Sequence, residues 1–344
     1  MRSRLAVLAV ALLLGSLSAC GAAATDPPPL PDLCPASPAS AAVVSDVSGL
    51  RQTVVLPRST ASCQLIATDS HYVYVAPAAT LRGRLFVFLP GTGGIPRNYR
   101  LILQDAAAQG FHAVGLAYPN ADAIGTLCAG RGPACHGPAR QEVVSGQDLS
   151  SLVQVGPFDA IEGRLLALLS FMQAADPTRN WARFIVNGGV DWANVSVAGH
   201  SQGGGHALFL AQRRSLFRAS AFASGGDLVD GGDVPASWVS QPFLTPAANI
   251  FGFISTRDEL VSTAGTVTAW QQIGLGAFGS VTSVDGATAP FGGAHMLTTA
   301  RDPAFPGLVI GPNHNVVAVD INTPRDAGGA LVFAPVWRYM ALGL

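Results

Sequence analysis

Residues 194–214, NVSVAGHSQGGGHALFLAQRR, contain the feature on which the fold prediction depends. The first part alternates apolar with small or polar residues, as a strand does, and the last part is rich in Ala and Leu, as a helix is. Between them lies Gly199-His200-Ser201-Gln202-Gly203, a G-x-S-x-G pattern. A serine in such a tight turn adopts a strained backbone, and side chains at the flanking positions would collide with neighbouring elements. The pattern therefore predicts that Ser201 is a nucleophile.

Strands and helices alternate on both sides of this turn. Apolar or β-branched runs typical of strands include HYVYVAP, GRLFVFLPGTGG and FHAVGLAYP, and apolar residues recur at helical spacing in FDAIEGRLLALLSFMQAADP. Towards the end, GSVTSVDG is predicted to be the final buried strand and FAPVWRYMAL a closing helix. This order predicts an α/β fold in one domain, residues 51–344, with a mostly parallel sheet and helices on both faces.

A serine hydroxyl needs a base, and the base needs an acid that orients it. In the chain order Ser…Asp…His, the acid follows the strand after next. The segment NIFGFISTRDEL places Asp258 just past such a strand, so Asp258 is the predicted acid. Two alternatives stay open: Asp258 caps the next helix, with Glu259 in its first turn, or the acid is Asp227, after the preceding strand.

Two histidines compete for the role of base. His295 lies in PFGGAHMLTTA shortly after the predicted final strand, and His314 lies in the polar loop IGPNHNVVAVD, with Asp320 as a possible partner. We favour His295, because short loops after a strand are commoner than long ones. His200 and His206 are too close to the serine in sequence and are interpreted as packing or supporting groups.

An ester-cleaving site also needs two donors for the oxyanion. One is expected to be the backbone N–H of Gln202, directly after the serine. The other is expected from the glycine-rich loop LPGTGG, with Thr92 as the first choice and Gly93 next. A phosphate cradle is the competing interpretation of this loop, but no lysine follows it and the chain contains none.

The N-terminus is predicted to be a targeting segment. A basic start, MRSR, is followed by LAVLAVALLLGSL, which is too short to span a bilayer as a stable helix. The segment ends in Leu-Ser-Ala-Cys and resembles a bacterial lipobox, which predicts a signal peptide over residues 1–19 and lipidation of Cys20. Residues 20–50, rich in Pro, Ala and Ser, are predicted to be a tether. We thus expect an exported chain, anchored to the bacterial cell envelope by lipid alone, and no transmembrane helix.

The remaining cysteines are even in number, which favours disulfides in an exported protein. Cys128 and Cys135 are seven residues apart in a Gly/Pro-rich loop and can close a small ring, leaving Cys34 to pair with Cys63. A metal site that includes His136 is disfavoured, because no CxxC spacing occurs. No metal and no cofactor are predicted.

Composition limits the partners. The formal net charge of the chain is −1 and only 12% of its residues are charged, so no basic surface for nucleic acid is expected. The predicted partner is a small-molecule, lipid or polymer ester. The sequence does not indicate an oligomeric state.

With turn, acid, histidine and glycine-rich loop in this order, the chain resembles the α/β-hydrolase superfamily from about Thr53 to its end. The run IEGRLLALLSFMQ…W…VDWANVSVAGHSQGGGHALFLAQ…FRASAFASGGDLV, together with FAPVWRYM, resembles the BPSS1187-like family of bacterial secreted hydrolases. The resemblance implies the fold and a Ser-His-Asp triad more firmly than a substrate.

The predicted function is therefore a serine hydrolase that cleaves carboxylic esters through an acyl-enzyme. The Gly/Pro-rich segment 227–246, with Trp238 and Phe243, suggests an apolar cap and an apolar acyl or polyester substrate. The alternatives are a peptidase or acyltransferase with the same triad, and a non-catalytic envelope lipoprotein on a hydrolase scaffold.

Overall fold

The structure is a computed structural model, and it describes residues 42–64, 66–307 and 310–344. The predicted signal peptide with Cys20 and Cys34 lies outside the described residues. Lipidation of Cys20 and the Cys34–Cys63 disulfide therefore stay predictions.

One large sheet organises the described residues. Their strands, numbered along the chain, are β1 Val43–Val47, β2 Leu50–Val55, β3 His71–Val75, β4 Leu85–Leu89, β5 His112–Gly115, β6 Ile185–Val186, β7 Gly189–Val190, β8 Val195–His200, β9 Arg218–Phe222, β10 Ile250–Ser255, β11 Thr282–Ser283 and β12 Met296–Thr299. Ten of them form a sheet in the order β1-β2-β3-β5-β4-β8-β9-β10-β12-β11, while β6 and β7 form a separate hairpin. All pairs from β5 to β11 are parallel, and β1, β2 and β3 add an antiparallel edge. The predicted mostly parallel sheet is confirmed.

Helices cover both faces of this sheet. They are α1 Pro57–Thr60, α2 Arg100–Ala108, α3 Ile124–Leu127, α4 His136–Ser145, α5 Ile161–Ala175, α6 Gln202–Arg213, α7 Thr263–Ile273, α8 Pro312–Asn315 and α9 Ala334–Trp337, which continues into a π-helical turn, Arg338–Leu342. Apolar side chains of α5, α6 and α7 fill the core on one face, and those of α2 and α9 fill the core on the other. The predicted α/β-hydrolase fold is confirmed by this layering together with the strand order. None of the helices in the described ranges is long and apolar enough to cross a bilayer.

Two segments differ from their predictions. The strand β1 lies inside the predicted tether 20–50, so the sheet begins earlier than expected. The segment GSVTSVDG forms only the two-residue edge strand β11, which is partly exposed. The last strand buried in the core is β12, whose four residues are all buried.

Parallel strands bring their carboxyl ends to one edge of the sheet. At this edge β4 leads into the glycine-rich loop, β8 into Ser201, and β10 into the turn that carries Asp258. Near it, the predicted disulfide Cys128–Cys135 is confirmed, with the two Cα atoms 5.7 Å apart. This bond joins the end of α3 to the start of α4.

Candidate active site

The backbone of Ser201 is strained in the way that the G-x-S-x-G pattern predicts. Its φ of 54° and ψ of −120° lie in a region that L-residues rarely adopt. A Cβ atom on Gly199 would lie 2.2 Å from the carbonyl carbon of Gly203, and one on Gly203 would lie 2.1 Å from the carbonyl oxygen of Leu89. Both flanking positions therefore require glycine, and the turn presents Ser201 at the carboxyl edge of the sheet.

The side chain of His314 is hydrogen bonded to Asp258. The Nδ1 atom of His314 lies 2.8 Å from Asp258 Oδ2 and 2.9 Å from Oδ1. Both side chains are almost fully buried, at 3% and 0% exposure. The same carboxylate accepts the backbone N–H groups of Leu260 and Val261, while Ser262 caps α7. Asp258 thus orients an imidazole and does not cap the helix.

The preference for His295 as the base is corrected by its position. His295 immediately precedes β12 and its Nδ1 donates to the carbonyl groups of Ala247 and Ile250, at the amino ends of the strands. Its ring is stacked between Phe251 and Phe278, with centroids 4.0 and 3.9 Å away. Ser201 follows the carboxyl end of β8, at the opposite edge of the sheet. The physical reason for the error is that β12, and not GSVTSVDG, is the last core strand, so His314 is the histidine that follows it.

The other carboxylates considered as partners have different contacts. Asp227 accepts hydrogen bonds from Arg140 Nε at 2.5 Å and Nη2 at 2.7 Å, and from Trp238 Nε1 at 2.7 Å. Asp320 accepts the backbone N–H groups of Arg100 and Leu101 at the start of α2. Neither is hydrogen bonded to His314.

The glycine-rich loop leaves one amide available for an oxyanion. The N–H of Gly91 donates to the Tyr99 hydroxyl at 3.2 Å, and that of Gly93 donates to the carbonyl of Asn120 at 2.9 Å. The N–H of Thr92 has no acceptor among the described residues. Gln202 is the first residue of α6, where amides have no partner within the helix. This geometry favours Thr92 over Gly93 as the donor that acts with Gln202.

Two side chains that the sequence analysis did not assign hold the loops of this site. The Gln202 side-chain oxygen accepts the backbone N–H of Ile124 at 2.9 Å and the Thr92 hydroxyl at 3.3 Å. Glu259 accepts the backbone N–H groups of Asn313 and His314 at 3.1 and 2.9 Å. The only sequence signal for either was its position next to a predicted catalytic residue.

His200 connects the glycine-rich loop to the His314 loop. Its Nε2 lies 3.1 Å from the carbonyl oxygen of His314, which can only accept, so Nε2 carries the proton. Nδ1 then accepts the hydroxyl of Tyr99 at 3.1 Å, and that hydroxyl accepts the Gly91 N–H. Burial and the nearby His314 lower the pKa of His200 to about 3, so its ring is neutral at neutral pH.

Substitution of Tyr99 by phenylalanine is expected to lower the free energy of unfolding by about 1–3 kcal/mol, because it leaves a buried N–H and a buried imidazole nitrogen without partners. Urea unfolding measures the loss. Tyr339→Phe is the matched control, since its hydroxyl donates only to the carbonyl of Ala294 at a half-buried position. Equal losses in the two variants would show that the Tyr99 connection adds nothing.

Ser201 and His314 line one cavity of about 820 Å³. The apolar part of its lining includes Leu228, Leu260 and Ile310, and the last two are 53% and 85% exposed. Trp238 and Phe243 are not among the lining residues; Trp238 is 5% exposed and packs on the core. The expected cap of Trp238 and Phe243 is therefore corrected. No group of His, Cys, Asp or Glu side chains able to hold a metal ion occurs within the described residues.

Comparison with known proteins adds little to this geometry. No protein-family model matches the chain, and no curated protein matches its sequence. Among solved structures, the chain is similar to an S-formylglutathione hydrolase from Agrobacterium tumefaciens, with 14% sequence identity and a TM-score of 0.42 over 67% of this chain and 84% of the other. At these values the likeness supports no conclusion about function.

Proposed function

We propose that this protein is a serine hydrolase that cleaves carboxylic esters through an acyl-enzyme formed on Ser201. The observation that carries the proposal is the hydrogen bond of His314 Nδ1 to Asp258, 2.8 Å long, beside the cavity that holds the strained Ser201. A carboxylate on Nδ1 leaves Nε2 to act as the base, as in Ser-His-Asp triads. The resemblance to the BPSS1187-like family stays part of this proposal.

In the proposed reaction, His314 takes the Ser201 proton as the hydroxyl oxygen attacks the ester carbonyl carbon. The N–H groups of Thr92 and Gln202 bind the oxyanion, and His314 returns the proton to the leaving alcohol. A water molecule then attacks the acyl carbonyl carbon while His314 takes its proton; His314 passes that proton to the Ser201 oxygen as the bond to the acyl group breaks, and the acid is released. Asp258 holds the imidazole and stabilises the imidazolium that forms in each half-reaction.

The test is covalent labelling with a fluorophosphonate probe. The native protein is expected to label, and Ser201→Ala is expected not to. Ser224→Ala, which removes another serine of the same cavity, is expected to keep the label. Equal labelling of native protein and Ser201→Ala, or none of the native protein, would refute the proposed nucleophile.

An apolar acyl group is the proposed substrate class, now on the basis of Leu228, Leu260 and Ile310 rather than Trp238. Exposed apolar side chains around a pocket favour contact with an apolar ligand. A series of p-nitrophenyl esters tests this: kcat/KM is expected to rise from acetate to butyrate and hexanoate. A steady fall along the series would contradict it.

Export and lipid anchoring through Cys20 are also proposed. They rest on the first 20 residues, and the Cys128–Cys135 disulfide supports an oxidising compartment. Mass spectrometry of the mature N-terminus tests the lipid directly. A mature chain that begins anywhere but at an acylated Cys20 would contradict the anchor.

A further inference from the structure

A buried arginine lies directly behind the residue that we assign as an oxyanion donor. Arg140, in α4, is 2% exposed. Its Nη1 donates to the backbone carbonyl of Gln202 at 3.0 Å, and its Nη2 donates to the carbonyl of Gly226 at 3.2 Å. Asp227 pairs with two of its nitrogens, so the charge of the guanidinium is balanced.

This arrangement needs an explanation other than stability. A buried ion pair contributes little net stability compared with apolar residues of similar volume, because both charges lose their water. The planar guanidinium, however, holds several acceptors in fixed directions, which a flexible side chain does not. Here the held group is the main chain of Gln202, one residue after the nucleophile.

Gln202 is fixed from two sides by elements that a disulfide joins. Arg140 of α4 holds its carbonyl oxygen, and the N–H of Ile124, in α3, holds its side chain. The Cys128–Cys135 bond connects the end of α3 to the start of α4. The main chain of Gln202 thus has little freedom to turn its N–H away from an oxyanion.

Helix α6 leaves space for the guanidinium at one glycine. A Cβ atom on Gly205 would lie 2.2 Å from Arg140 Nη2 and 2.5 Å from Cζ. An alanine at this position would therefore displace the guanidinium without removing its charge.

We propose that Arg140 is a positioning residue of the oxyanion site: its guanidinium, held by Asp227, fixes the backbone of Gln202 so that the Gln202 N–H points at the developing oxyanion. The proposal rests on the proposed ester hydrolysis at Ser201. It requires α4 to hold the Arg140 guanidinium against the Gln202 carbonyl, which neither the triad nor the glycine-rich loop implies.

The first test is Arg140→Lys, with Arg164→Lys as the matched control. Arg164, in α5, is another fully buried arginine that pairs with Asp159 and donates to the carbonyls of Ala67 and Ala117; none of its hydrogen bonds within the described residues goes to the triad or to Gln202. For p-nitrophenyl acetate, Arg140→Lys is expected to lower kcat about 100-fold, the order of loss that a 1 Å misplacement causes. KM and the midpoint of the pH–rate profile are expected to stay unchanged, because the base is untouched. Arg164→Lys is expected to have the kcat of the native protein, even if its unfolding midpoint falls as far as that of Arg140→Lys.

The second test is Gly205→Ala, which covers the case that Arg140→Lys does not fold. A similar loss in kcat is expected. Because both substitutions disturb the same guanidinium, the kcat of the double variant with Arg140→Lys is expected to be no lower than that of the less active single variant. Unchanged kcat in both single variants would overturn the proposal, and a raised KM at unchanged kcat would assign Arg140 to substrate binding instead. If the native protein does not take the fluorophosphonate label, the proposed function is refuted, and the role of Arg140 with it. If the native protein labels and is active but both single variants keep its kcat, only the role of Arg140 is refuted.

Discussion

Replacement of His314 by alanine is expected to lower kcat/KM for p-nitrophenyl acetate by about 10⁴- to 10⁶-fold, the range found when one member of a Ser-His-Asp triad is removed. The loss is large because no base then takes the proton of Ser201 as its oxygen attacks the ester. His295→Ala is expected to stay within a fewfold of the native protein. Its ring is stacked between Phe251 and Phe278, at the amino ends of β10 and β12, and takes no part in the cavity.

The pair of histidine variants is its own control. Each removes a buried imidazole, since His314 and His295 as whole residues are 2% and 6% exposed, so the unfolding midpoints of the two variants show whether either fold is lost. Asp258→Asn is also expected to lower kcat/KM, as His314→Ala does, since the carboxylate that holds Nδ1 becomes an amide. A greater loss in His295→Ala than in His314→Ala, with both proteins folded, would refute the assigned base.

The tight turn at Ser201 and the alternation of strands and helices could be predicted from the sequence because both depend on local patterns. Continuous apolar runs identify buried parallel strands, and a glycine on each side of Ser201 identifies the tight turn between β8 and α6. The position of Asp258 follows from the order of the strands along the chain. These predictions need no knowledge of contacts between distant segments.

The base was assigned wrongly because the last two strands carry weak signals. GSVTSVDG contains three β-branched residues, which are typical of a strand, whereas the four residues of β12, MLTT, are too few to stand out from the glycine-rich segment before them. A short strand is recognised only when its neighbour is known, and here β12 lies between β10 and β11. Once β12 is the last core strand, His295 precedes it and His314 follows it.

The contacts of Arg140 could not be predicted from any spacing. Arg140 and Gln202 are 62 positions apart, and Arg140 and Asp227 are 87 apart. Charged residues are rarely buried, so the buried position of Arg140 could not be expected from the sequence. Arg140 reaches Gln202 only because α4 packs against α6.

A fall in pH from 7.5 to 5.5 is expected to remove about 4 kcal/mol of the free energy of unfolding, out of the 5–15 kcal/mol typical of a folded domain. Three histidines account for most of this loss. Burial, with Arg164 near His71 and Arg140 near His206, lowers the pKa of both well below the usual value, and burial with His314 nearby lowers that of His200 to about 3. These rings stay neutral in the folded protein at pH 5.5, whereas the unfolded chain binds a proton on each as the pH falls through about 6.5.

The free energy of unfolding falls with pH because the pKa values of these histidines are lower in the folded protein than in the unfolded chain. The stability that these histidines contribute is complete above about pH 6.5 and is lost as the pH falls towards their folded-state values. Burial also lowers the pKa of His112 and His295, which adds to the loss. Asp320 acts in the opposite direction, because burial raises its pKa to about 6, and it offsets about 1 kcal/mol of the loss over this range.

His71→Asn isolates one of these protons. The Nδ1 of His71 accepts the backbone N–H of Ala117 at 3.0 Å, and an asparagine oxygen can accept the same bond without titrating. In urea unfolding at pH 5.5, 6.5 and 7.5, the variant is therefore expected to lose about 1 kcal/mol less than the native protein between the two outer values. Equal losses in the two proteins would show that His71 is protonated in the folded state. A native protein whose stability does not change over this range would contradict the neutral, buried state of all three histidines.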